Sequence, residues 1–156
     1  MLGLLSGVVL VLAAAAITYR VFAPSPGESE PASSSTAVPQ DQSRPVVSPD
    51  GLVARSGVRL VHVAVTGGGG LLDLRFQVVD PDKASSIHDK ATPPAIVDEA
   101  TGIVADELFM GHAHEGTFRP AVTYYLVFEN PGDIVKRGGS VTVLLGDAQV
   151  QHVVVD

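Results

Sequence analysis

Cysteine is absent from this 156-residue chain. Without thiols there is no disulfide, no thiolate nucleophile, no zinc ribbon, no c-type haem attachment and no iron–sulfur ligation. A blue-copper centre, which needs a thiolate, is excluded with them. Basic residues are scarce: ten Lys and Arg stand against seventeen Asp and Glu, giving a formal net charge of −7. A chain this acidic does not hold nucleic acid through phosphate contacts. It is not drawn by charge to an anionic bilayer either, so membrane contact has to be hydrophobic.

Charge of either sign is missing from Met1 to Tyr19. Leu2, Leu4, Leu5, Val8–Leu12, Ala13–Ala16 and Ile17 make that run apolar on every side. A helix needs about 20 such residues to cross the hydrocarbon. Val21 and Phe22 extend the run to that length, with Arg20 able to snorkel. Residues 1–22 therefore read as a single-pass transmembrane anchor. The rival is a cleaved signal peptide. Against it, no Lys or Arg precedes the apolar run, and Ala23 is followed by Pro24, a poor residue after a cut. Arg20 on the C-terminal side favours a cytoplasmic domain by the positive-inside rule. A hydrophobic run directly after the start is the layout of an exported protein. The expectation is an extracytoplasmic, periplasmic domain held at a bacterial inner membrane.

Large apolar residues are few in residues 23–50, where Pro24, Pro26, Pro31, Pro39, Pro45 and Pro49 recur among Ser, Gly and Glu. Such a stretch buries too little surface to offset its ordering entropy, and it reads as a disordered Pro/Ser-rich linker. At about 3 Å per residue its span reaches up to ~80 Å.

After Gly51 the texture changes to period-2 alternation broken by Gly, Asn, Asp and Pro. Strands are expected at Val58–Thr66, Leu71–Val79, Ala95–Asp98, Gly102–Leu108, Thr123–Glu129, Ser140–Leu145 and Gln149–Val155. In the second of these, Leu72, Leu74, Phe76 and Val78 share one face. Asp80–Lys90 is the one candidate for a short helix, with Asp82 as its cap. About seven short strands in residues 51–156 predict a single immunoglobulin-like antiparallel β-sandwich.

The phrases Asp73-Leu-Arg-Phe76, Val97-Asp-Glu-Ala-Thr-Gly102, Tyr124-Tyr-Leu-Val-Phe128, Asn130-Pro-Gly132 and Val141-Thr-Val143 resemble those of a group of membrane-tethered bacterial β-sandwich proteins. The likeness covers most of residues 55–156. Its motifs are turns and core strands, so it implies a fold and a bacterial envelope setting, and no activity.

One cluster carries chemistry: Met110-Gly-His112-Ala-His114-Glu115. In an extended chain Met110, His112 and His114 fall on one face, about 6.5–7 Å apart. A thioether with two imidazoles suits copper, and imidazoles with Glu115 or Glu107 suit zinc. His88 is a fourth candidate from the 80–94 connection. The group loosely resembles the Met/His sites of periplasmic copper chaperones, but it departs from them in order and spacing. The bland alternative is a polar loop, favoured by Gly111 and Gly116. His62 and His152 read as satisfied histidines at a sheet surface or core edge. The pairs Asp98-Glu99 and Asp106-Glu107 read as solvated hairpin residues, since strand neighbours point to opposite faces. Ser140 lacks a nucleophile-elbow context and Gly67–Gly70 lacks the Lys-Ser/Thr of a phosphate loop. No catalytic residue or organic cofactor is expected. The favoured reading is an accessory or scaffold subunit. It binds a partner protein of a larger membrane complex through a sheet edge or the 80–94 and 109–120 loops. The alternative is a copper- or zinc-binding module.

Overall fold

The computed structural model of the chain describes residues 44–110 and 116–156. The expected anchor, residues 1–22, lies outside them. Among the described residues no helix is long and apolar enough to cross a membrane.

The alternating segments form seven strands: β1 (Val58–Thr66), β2 (Leu71–Val78), β3 (Ala95–Asp98), β4 (Val104–Ala105), β5 (Thr123–Glu129), β6 (Ser140–Leu145) and β7 (Ala148–Val154). They build two antiparallel sheets, ordered β1-β2-β5 and β4-β3-β6-β7, consistent with a β-sandwich. The alternation of β2 is realised side chain by side chain. Leu72, Leu74, Phe76 and Val78 are all fully buried, while Arg75 is exposed. They pack in one core cluster with Leu126 and Phe128 of β5 and Val141, Val143 and Leu145 of β6. Burying each such side chain stabilises the fold by about 1.5–3 kcal/mol.

The chain fastens both open sides of the sheet pair. Beyond β4, Glu107–Phe109 runs beside β5: the Phe109 N–H donates to the Val127 carbonyl (2.9 Å) and the Glu129 N–H to the Glu107 carbonyl (2.8 Å). On the opposite side, β1 meets the chain end. The Val65 N–H donates to the Asp156 carbonyl (3.0 Å), and the Asp156 N–H to the Val63 carbonyl (2.9 Å). Covering strand edges in this way removes templates for unwanted pairing.

Two local differences from the sequence expectation have clear causes. Residues 44–50, assigned by composition to the linker, are ordered against the domain. The Val47 N–H donates to the Gln149 carbonyl (2.9 Å), and the Gln149 N–H to the Pro45 carbonyl (3.1 Å). Helix α1 (Pro49–Ser56) follows, capped by the Ser48 side chain and opened by Pro49. It stops at Gly57, whose φ of 65° is left-handed. A Cβ there would collide with the Asp80 carbonyl oxygen. The second difference is a cap. Helix α2 (Pro81–Ala84), continued by a 3₁₀ turn to His88, is capped by Asp80 and not by Asp82. Asp80 Oδ1 accepts from the N–H groups of Asp82 (3.1 Å) and Lys83 (3.3 Å). Pro81 takes the first helical position, where its missing N–H costs nothing, and that fixes the cap one residue earlier.

Candidate functional site

The most organised polar constellation among the described residues lies where the β3–β4 hairpin meets β6 and β7. Asp98 ends β3 and shapes the hairpin. Its Oδ2 accepts from the Thr101 N–H (2.9 Å) and the Thr101 hydroxyl (2.7 Å). The next residue, Glu99, is thereby turned toward β6 and β7. Its Oε1 accepts from the Thr142 hydroxyl (2.9 Å) and from the His152 backbone N–H (2.8 Å). Its Oε2 lies 2.9 Å from His152 Nδ1.

His152 reaches this position through an irregularity. Val141 pairs with Val153 and Val143 with Val150, so Gln151 and His152 stand together opposite Thr142. This is a β-bulge, a device that re-aims side chains. His152 adopts φ 58°, unusual for a residue other than glycine. Val97, Asp98, Glu99, Gly102, Thr142, Gln151 and His152 line an open groove of about 410 Å³ here.

The electrostatics follow from the contacts. Partial burial pushes the Glu99 carboxyl up. Donation from the His152 N–H, the Thr142 hydroxyl and the His152 ring outweighs it and holds the carboxyl below its ordinary value of 4.5. With Nδ1 committed to Glu99, the imidazole offers Nε2 to solvent, the side chain being 81% exposed. The one hydroxyl of the groove, on Thr142, is committed to Glu99.

The sequence reads Asp98 and Glu99 as solvated hairpin residues. Asp98 is buried and Glu99 is held by three donors. Asp98 ends β3 and bonds within the hairpin, while Glu99, in the turn that follows, reaches toward β7. The Asp98-to-Gly102 turn is legible in the sequence. The bulge that brings His152 to Glu99 has no sequence signal, because it depends on register.

The four candidate metal ligands are only partly placed. His112 and His114 lie outside the described residues. Met110 is 58% exposed, just beyond the segment that pairs with β5. The His88 ring stacks on Phe118 (centroids 4.4 Å, interplanar angle 16°). Phe118 in turn meets Tyr124 edge to face at 4.9 Å. The 80–94 connection and the chain after Gly116 are therefore fastened together at the β5 end of the first sheet. Among the described residues, no three His, Asp or Glu side chains form a group able to hold a metal.

A second surface lies on the outer face of the first sheet. Leu108 bridges to Phe128 on the core side of β5, so Phe109 and Val127 face outward, with Tyr125 one step along the same face. Phe109 is 52% and Tyr125 60% exposed. Arg75, opposite Tyr125 on β2, is bound to Asp73 (Nη2 to Oδ2, 2.9 Å). Comparison with protein-family models, curated proteins and solved structures finds no match to this chain.

Proposed function

We propose that this chain is a non-catalytic, membrane-anchored accessory subunit whose immunoglobulin-like domain binds a partner protein on the extracytoplasmic side of a bacterial inner membrane. The strand order supports the immunoglobulin-like reading. Counted from β1 as strand A, the sheets are ABE and a fourth strand added to CFG. The fourth strand pairs with β3 and leaves β5 without it, the way an extra strand joins that sheet in variable-type domains. Organic cofactors and nucleic acid have no place in this reading.

The observation that carries the partner proposal is the outward apolar group on the first sheet. Phe109, Tyr125 and the neighbouring Met110 are each more than half exposed. Aromatic side chains and methionine are the residues enriched at protein interfaces. The test is site-specific photo-crosslinking of the full chain in native membranes. A photoreactive residue at Phe109 is expected to give one adduct of defined mass, and the same residue at Arg59, on the β1 side of that face, none. Equal labelling from both positions, or none from either, contradicts the reading.

A second reading, the metal-binding module, keeps one observation in its favour. His88 is held against Phe118, four residues along the chain from His114. Copper or zinc is titrated into the full chain. This reading expects binding tighter than micromolar that is lost in His112→Ala with His114→Ala and weakened in His88→Ala. Binding unchanged by those substitutions rules it out.

A further inference from the structure

The β6–β7 pair is interrupted once, and a single acidic side chain holds the interruption. At the bulge the His152 N–H donates to Glu99 and not across to β6. The His152 ring and the Thr142 hydroxyl meet the same carboxylate. Backbone held in a left-handed conformation at a residue other than glycine costs of order 1–3 kcal/mol, so its surroundings must maintain it. Here Glu99 supplies those surroundings, and a charged acceptor makes each bond stronger than its neutral counterpart.

The place of the bulge along β7 gives it a consequence. Three residues before His152, Gln149 pairs with the entering segment: its N–H donates to the Pro45 carbonyl and its carbonyl accepts from the Val47 N–H. Beyond the bulge, Val155 bridges to Val63 of β1. The bulge therefore lies between the two points at which this part of the chain holds the rest of the domain.

We propose that the Glu99 carboxylate is an acid-releasable latch: ionised, it keeps the bulge closed; protonated, it frees β7 and with it the docking of residues 45–47. The ionisable side chains lining the groove are Asp98, Glu99 and His152. Asp98 is bound to Thr101 within the hairpin, and His152 donates to Glu99 from its backbone whatever the state of its ring. Titration of Glu99 is thus the event that changes the contacts. Its carboxyl is held below 4.5 in the folded chain. A group whose pKa is lowered on folding contributes stability above its ordinary value and loses it as pH falls through the lowered one. The latch is closed at neutral pH and opens in acid.

The test is an NMR titration of the full chain in detergent, following the His152 amide proton together with amide exchange. The His152 signal is expected to shift with a midpoint below 4.5, and protection of Gln149–Val153 is expected to fall in the same step. In Glu99→Gln that protection falls at neutral pH by about tenfold, the equivalent of losing one charged hydrogen bond, and the acid step disappears. His152→Gly keeps the backbone donor but removes the cost of the left-handed conformation and the ring contact, so its acid step is expected to be smaller than in wild type. Two results overturn the proposal. One is Glu99→Gln protection equal to wild type at neutral pH. The other is acid loss of protection spread evenly over β1, β2 and β5, which is global unfolding.

Discussion

Asn130 illustrates what single residues do in this fold. Buried beside the glycine hairpin, it donates through Nδ2 to the Gly69 carbonyl (2.7 Å) and the Val135 carbonyl (3.0 Å). Its Oδ1 accepts from the Val135 N–H (3.0 Å). One side chain thus ties the β1–β2 turn to the segment after β5. Each buried group left without its partner costs about 1–3 kcal/mol, so Asn130→Ala is expected to lower stability by about 2–4 kcal/mol in urea denaturation. Asn130→Asp keeps the acceptor but turns two donor contacts into repulsion with carbonyl oxygens, and it is expected to do at least as much damage. Asn130-Pro131-Gly132-Asp133 is legible in the sequence as a turn. That the asparagine points inward and bonds a hairpin 61 residues away is not, because nothing local encodes it. Glu99 is the same case: its three donors come from β6 and β7.

At the scale of elements, the strands were readable because half-burial imposes a period of two, which β2 keeps without a break. Helix α1 was not, although Ser48, Pro49 and Gly57 stand where helix caps stand. Its eight residues bury only Leu52 and Ser56, too little apolar periodicity to outweigh a proline-rich neighbourhood. What holds it is tertiary. The Ser56 hydroxyl donates to the Leu145 carbonyl (3.2 Å), and Arg55 Nε lies 3.0 Å from Asp147 Oδ2. The preceding segment pairs with β7 at Gln149. A chain starting at Gly51 loses that pairing and the Ser48 cap, each worth about 1 kcal/mol or more. Compared with a chain starting at Asp41, it is expected to melt at least about 10 °C lower by circular dichroism. Equal melting temperatures would mean that residues 44–48 add nothing to the domain. β4 is shorter than the expected Gly102–Leu108 for a related reason. Its alternation continues through Leu108, but the chain leaves β3 after Ala105 and crosses to β5, a change of partner that alternation cannot register.

For the whole molecule, the proposed anchor and linker set the terms on which the domain meets a partner. If residues 1–22 anchor the domain as proposed, it would be held close to other membrane proteins at high effective concentration, and even a modest interface would suffice. The net charge of −7 is compatible with that proposal, since an acidic chain is not attracted by charge to anionic lipid. No activity is legible in the sequence, because its readable motifs are turns and core strands, which encode a fold. The central claim, that the chain works as a subunit of a larger assembly, is tested most directly by native mass measurement of the full chain extracted in mild detergent. A mass exceeding one chain by that of a defined second protein, returning to a single chain in Phe109→Asp, is the predicted result. A wild-type mass of one chain alone would contradict it.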